Sequence, residues 1–358
     1  MNGHSAAAST PGLELGRLGA WFAATVPGAG PTLTAALVAG GRSNLTYVVS
    51  DGVHEWIVRR PPLGHVLATA HDMAREYRVI TALRGTPVPV PATVGLCLDP
   101  AVVGAPFVVM ERVAGTPYRR ADQLAALGAD RTRTISTRLV ETLAVLHRVD
   151  PTAVGLGDLG RAQGYLGRQV SRWKTQLDAS RHRDLPAADD LYARLAADVP
   201  QESATGIVHG DYRLDNLLVD GDDKVTAVLD WEMATLGDPL ADLALMVVYG
   251  RLGAVVGPVS RGASPGSRGG DDVVTSVANA PGYLGEAEIV DRYVADSGRD
   301  LAGFGFHLGL AAFKIAAILE GIHYRYLTGQ TVGEGFAQKG EAVPPLLAIG
   351  LEALDEDW

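Results

Sequence analysis

A β-type stretch from Gly206 to Trp231 interrupts a half-chain that otherwise reads as helix, and no other feature constrains the fold as tightly. Its apolar runs IVH, NLLVD and VTAVLDW have strand length and are separated by the turn residues Asp220 to Asp223. Around it the periodicity is helical: Asp130 to Val149 carries Ile135, Leu139, Leu143 and Leu146 on one side, and Gly303 to Leu319 reads as a buried helix. The start of the chain has the opposite balance. After an amphipathic helix over Leu13 to Val26 come β-type runs at Thr32 to Val38, Asn44 to Ser50 and Glu55 to Arg59, the last two joined by the hairpin signal Asp51-Gly52. A helical segment, Ala70 to Leu83, precedes two further strands at Val94 to Leu98 and Phe107 to Glu111. The order β-β-β-α-β-β followed by helices predicts an α+β chain in two parts, residues 1–113 and 114–358.

Bulk properties narrow the partners. A formal charge of −10 and the lack of a Lys/Arg run with interleaved aromatics argue against nucleic acid. The single cysteine, Cys97, forms no internal disulfide, and the opening MNGHSAAAST lacks the basic and apolar regions of a signal peptide, so a cytoplasmic location is expected. The most apolar segment, Gly303 to Leu319, is broken by His307 and Lys314. It falls short of the roughly 20 apolar residues that span a bilayer, so no membrane association is expected.

The chemistry concentrates in His209-Gly210-Asp211-Tyr212-Arg213-Leu214-Asp215-Asn216 and, one hairpin later, Leu229-Asp230-Trp231-Glu232. Phosphoryl transfer needs a carboxylate to orient the acceptor hydroxyl, hard oxygen ligands for Mg²⁺, and cationic or amide groups around the phosphates. Asp211 and Asn216 stand five positions apart, the spacing between base and metal-ligand Asn in a kinase catalytic loop, and Asp230 follows where the second metal ligand belongs. Taken singly, Asp and Asn after Gly suit ordinary turns, and Asp230 suits a strand-ending cap. Together they share one context, since Asp211 and Asp230 each follow an apolar strand, GIV and TAVL.

HGDYRLDN with LDWE resembles the aminoglycoside phosphotransferase and choline kinase-like superfamily, distant relatives of protein kinases. The segments VRRPPLGHVLATAHDMAREYRVI, FVVMERVAGTPY and FKIAAILEGIHYRYLTGQTVGEGF are similar to the bacterial branch related to the kinase-like domain of animal multidomain acyl-CoA dehydrogenases. The resemblance covers nearly the whole chain. It implies a bilobal protein-kinase-like fold, a small N-lobe with a five-stranded antiparallel sheet and helix and a larger, mostly helical C-lobe. It also implies ATP and Mg²⁺ as cofactors, Asp211 as catalytic base, Asn216 and Asp230 as Mg²⁺ ligands, and His209 as a structural residue of the loop. The acceptor it suggests is a small molecule with a hydroxyl group, a hydroxylated acyl-CoA being one candidate. Two alternatives stay open: phosphorylation of an aminoglycoside or macrolide antibiotic, and a nucleotide-binding pseudokinase scaffold that transfers nothing.

The nucleotide-binding residues follow by position. Gly40-Gly41-Arg42-Ser43-Asn44 lies where kinases fold a glycine-rich hairpin over phosphates, so Ser43 and Asn44 are candidate phosphate contacts, although the text departs from GxGxxG and an ordinary hairpin also explains it. Arg59 occupies the place of the phosphate-pairing lysine, with Arg60 beside it; arginine keeps the charge but changes the geometry. Glu76 is its expected ion-pair partner, against the reading of a solvated helix-face glutamate. Backbone from Glu111 to Val113 is expected to meet the adenine edge. Asp238, before Pro239, reads as a helix N-cap, and Asp242 as a brace for the catalytic loop. Glu320 and His323, three positions apart on one helix, read as buried polar partners or acceptor-pocket residues rather than zinc ligands, since no HExxH is present. The Gly/Ser/Pro-rich segment Gly257 to Gly282 is expected to be a mobile loop.

Overall fold

The computed structural model describes residues 10–38, 44–63, 72–201, 205–256, 276–330 and 336–358. Ser43, most of the glycine-rich hairpin, and residues 257–275 of the expected loop lie outside these. The chain divides into two compact units, one of residues 1–114 with 227–232, the other of 115–226 with 233–358.

The first unit opens with α1 (Leu15–Thr25), followed by β1 (Thr34–Leu37), β2 (Leu45–Ser50), β3 (Glu55–Arg60), α2 (Met73–Leu83), β4 (Thr93–Cys97), the short α3 (Pro100–Val103) and β5 (Phe107–Glu111). The strands form one antiparallel sheet in the order β1-β2-β3-β5-β4. The hairpin between β2 and β3 turns at Asp51, whose carboxylate accepts the Val53 and His54 amides and, from outside the turn, the Gly30 amide at 2.7 Å. Strand alternation sorts the rest. Tyr47, Val49, Val58, Phe107 and Val109 are buried together with Leu18 and Phe22 of α1, in a cluster that Trp21 joins edge-on to Phe107. Val58 is in register with Tyr47 and Val109, so Arg59 emerges on the opposite face of the sheet. Arg60 returns to the α1 side and donates to the carbonyls of Gly12 and Val103, both at 2.6 Å. Parity thus separates two adjacent arginines, one tied to backbone and one facing away from that cluster. α2 begins where Asp72 accepts the Arg75 amide at 3.0 Å, and buries Met73, Glu76, Val79, Ile80 and Leu83.

The second unit is mostly helical: α4 (Ala121–Ala125), α5 (Ala129–His147), α6 (Tyr165–Ser180) and α7 (Pro186–Ala197) precede the β-rich stretch, and α8 (Leu240–Val256), α9 (Glu286–Ser297), α10 (Phe304–Leu327) and α11 (Val343–Ala353) follow it. The stretch itself holds β6 (Gly206–Val208) paired antiparallel with β9 (Thr235–Gly237), and β7 (Leu217–Val219) paired with β8 (Val225–Val228). α10 is longer than the apolar run Gly303 to Leu319 suggested. By length and composition it could cross a membrane, yet 78% of its apolar window is buried, and it packs against α6, α8 and α11 as a core helix.

Candidate active site

In the second unit the catalytic-loop text forms a braced turn. β6 ends at Val208, and Gly210 turns the chain at φ +86, where a Cβ would meet the Met233 side chain at 2.9 Å and its carbonyl at 3.0 Å. Only glycine fits. The amides of His209 and Gly210 donate to the two carboxylate oxygens of Asp242, at 2.6 and 2.8 Å, and His147 Nε2 stands 3.3 Å from the same group. Tyr293 closes the chain with its hydroxyl 2.7 Å from His147 Nδ1. Burial pushes His147 below its ordinary value, which leaves it neutral at pH 7. Burial opposes the charge of Asp242 as well, but the donors around it outweigh that and hold its carboxyl below the usual range. Asp242 is therefore the brace the sequence suggested. Asp238 caps α8 by accepting the Leu240 amide at 3.0 Å, and its other oxygen meets His307 Nε2 at 3.0 Å.

Asp211 follows this turn, its amide donating to His209 Nδ1 at 3.2 Å. Asn216, at the end of a single 3₁₀ turn, donates its Nδ2 to the Asp211 carbonyl at 2.9 Å and to the Asp211 carboxylate at 3.0 Å. Its Oδ1, the atom that ligates a hard cation, makes no hydrogen bond among the described residues. Arg213 pairs with Asp215 at 2.7 Å, stands 3.6 Å from Asp211 and lies over the Tyr249 ring. Burial raises the Tyr249 hydroxyl to about 12, so the phenol is neutral.

Sequence reasoning missed Lys314. It had entered only as a charge that breaks an apolar run, yet from α10 its ammonium donates to the Gly210 carbonyl and lies 5.6 Å from the Trp173 ring centroid. Burial lowers its pKa, with Asp211 and Asp242 pulling the other way. A charge at a helix position whose neighbours are all apolar is the signal that could have found it, because such a cation needs a partner.

In the first unit Arg59 is the hub. It donates to Glu76 at 2.8 Å and to Asp230, which lies two residues beyond β8 in the left-handed region at φ +66. Asn44, buried, donates to Glu232 at 2.8 Å. Burial opposes the charge of Arg59, but Glu76 and Asp230 hold its pKa above the ordinary value. Burial pushes Glu76 up to about 7, with Asp230 and Glu232 adding to the rise and Arg59 opposing it. One cation thus faces three carboxylates, and Asn44 Oδ1, Arg59 Nε and Glu76 Oε2 are buried without a hydrogen-bond partner among the described residues. A polar network left this incomplete fits a site that receives a further charged group. Glu111 sits at the end of β5, where its amide and carboxylate both bond Ala92, and Val113 is half-buried just beyond it.

Glu320 is spoken for. Arg183 grips it at 2.6 and 3.1 Å and His182 stands 3.2 Å away, while the His323 ring lies 5.1 Å from that of His182. Among the described residues no group of three or more His, Cys, Asp or Glu is placed to hold a metal by itself.

Residues 34–269 match the phosphotransferase enzyme family typified by aminoglycoside phosphotransferases. The chain is 35% identical to acyl-CoA dehydrogenase family member 11 of Gallus gallus across 87% of its own length, and it spans about two fifths of such relatives, 39% in this case. Among solved structures, one assigned as an aminoglycoside phosphotransferase from Ralstonia eutropha JMP134 superposes with a TM-score of 0.79 at 32% identity, covering 96% of this chain and 98% of that one. Aminoglycoside phosphotransferase APH(4)-Ia, seen with AMP-PNP and hygromycin B, shares the fold at a TM-score of 0.58 and 14% identity, over 90% of this chain and 94% of that one. A five-stranded antiparallel sheet with its Arg59–Glu76 pair, a helical unit with its HGD loop and a family match over most of the chain make this protein a member of the aminoglycoside phosphotransferase-type phosphotransferase family.

Proposed function

We propose that the protein transfers the terminal phosphoryl group of ATP to a hydroxyl of a small molecule, with a hydroxyacyl-CoA as the favoured acceptor. The observation that carries this reading is the Asp211–Asn216 pair, in which one amide fixes both the backbone and the carboxylate of Asp211. Asp211 would orient the acceptor hydroxyl and take its proton as the bond to phosphorus forms. The uncommitted Oδ1 of Asn216 and the carboxylate of Asp230 would hold Mg²⁺. Two oxygen ligands are enough for that ion, which completes its octahedron with phosphate oxygens and water. Mg²⁺ would supply neutralisation of the charge that develops on the transferring group. Arg59, anchored by Glu76, would steady the phosphates, with Ser43 and Asn44 as further phosphate contacts and the backbone from Glu111 to Val113 at the adenine edge. The hydroxyacyl-CoA class is supported by the 35% identity to an acyl-CoA dehydrogenase family member, of which the chain spans 39%, while the 32% identity to the Ralstonia eutropha structure supports the antibiotic alternative.

The test is ADP release on a panel of hydroxyacyl-CoA thioesters, aminoglycosides and macrolides, with Asp211→Asn as control. Turnover on the thioesters that the substitution abolishes supports the reading. Turnover confined to the antibiotics would move the acceptor to that class, and nucleotide-dependent thermal stabilisation with no turnover on any acceptor would make the chain a scaffold.

A further inference from the structure

The chain is acidic overall, yet from Leu159 to Leu177 it carries Arg161, Arg168, Arg172 and Lys174 and no Asp or Glu. Lys174 is neutralised by Asp178, at 2.5 Å. The three arginines have no carboxylate within ion-pair distance among the described residues, and they line one open groove of about 760 Å³ along the start of α6, together with Gly164, Gly167 and Ser171. Arg168 and Arg172 are one helical turn apart and so project on the same side. The guanidinium of Arg168 is held by the backbone carbonyls of Arg161 and Gln163, which fixes its position without cancelling its charge. Gly167 leaves the floor clear, since a Cβ there would meet nothing within 4 Å.

The groove shares one lining residue with a cavity beneath the loop. Gln169 lines it and also lines a small cavity bounded by Gly210, Trp173, Asp242 and Lys314. Trp173 links the same two places, with Arg172 5.1 Å from its ring centroid and Lys314 5.6 Å from it. A cation-lined groove that no carboxylate neutralises among the described residues, sharing Gln169 with the cavity against the Gly210 turn, suits a ligand with an anionic end.

We propose that this groove is an anion subsite that takes the phosphate-bearing end of the acceptor, through the planar, bidentate contacts that arginine makes with phosphate. The inference rests on the kinase reading and deepens it: the acceptor is a phosphorylated carrier such as a coenzyme A thioester, and the arginines select the carrier while Asp211 acts on the hydroxyl.

The experiment compares hydroxyacyl-CoA with the same acyl group on pantetheine, which lacks the phosphates, for the wild type and for the exposed pair Arg161→Gln/Arg172→Gln, with Tm confirming the fold. The KM ratio of pantetheine to CoA substrate is expected to fall about tenfold or more in the double variant, the cost of losing charge-assisted hydrogen bonds. Titration with coenzyme A alone, in which the wild type weakens as salt rises and the variant has lost most of the affinity, gives the same reading without turnover. An unchanged KM ratio, or a parallel rise in KM for ATP, overturns the subsite. Turnover with an unchanged ratio would leave the kinase reading standing without the groove, whereas arginine-dependent binding of coenzyme A without turnover would leave the groove standing without the kinase.

Discussion

Asn216 spends its amide on Asp211 alone, donating to the carbonyl at 2.9 Å and to the carboxylate at 3.0 Å. The carboxylate of the proposed base is thereby fixed by a residue five positions on, while the Asn216 oxygen is left uncommitted. The pair works as a unit, so the losses should not add. Asp211→Asn and Asn216→Ala are each expected to lower kcat by about 10² to 10⁴-fold, with the double variant close to the worse single one. Steady-state kinetics on the same acceptor checks this, and fully additive losses would mean that the two side chains act independently.

Gly210→Ala tests the turn. Its φ of +86 and the 2.9 Å approach to Met233 leave no room for a methyl group. The variant should lose about 2 kcal/mol or more of stability, and the displaced loop should cost activity beyond that loss. Urea unfolding together with kcat measured well below the melting transition separates the two effects.

Lys314→Met removes the ammonium that holds the Gly210 carbonyl while keeping most of the side-chain volume. The lost hydrogen bond costs about 1 to 2 kcal/mol, and relief of an enclosed charge offsets much of it, so stability should change little. Activity should fall about tenfold as the loop loosens, since misplacement of the base is costly. Lys314→Arg should recover part of it. A wild-type kcat in the methionine variant would confine Lys314 to packing.

Glu76 is pushed up to about 7 by burial, from an ordinary value near 4.5. A carboxyl whose pKa is raised on folding binds its proton more tightly in the native state, so its contribution is full below about pH 4.5 and is lost as pH rises through about 7. Without nucleotide or metal, the stability of the wild type relative to Glu76→Gln should therefore decline between pH 5 and 8, by at most about 3 kcal/mol. Denaturant unfolding of both proteins across that range reads the difference directly, and a flat difference would mean that Glu76 stays ionised throughout.

Much of this site was legible before any coordinates. The alternation of β3 already separates Arg59 from Arg60, because adjacent strand residues face opposite sides and Val58 belongs to the core. The spacing from Asp211 to Asn216 is local, closed by one 3₁₀ turn, and so it could be read as text. Strand ends moved by at most two residues, as at Thr34 and Leu37, since fraying at an edge depends on which neighbours pair.

The sequence by itself determined which residues are candidates for the chemistry and in which type of element each sits, because turn glycines, strand alternation and helical period act over a few residues. Only the tertiary structure decided their partners. Lys314 reaches Gly210 across 104 positions and Asp242 reaches His209 across 33, and such contacts depend on which helix packs beneath which loop. Packing of that kind is set by the summed burial of whole helix faces, to which no short stretch of sequence holds the key.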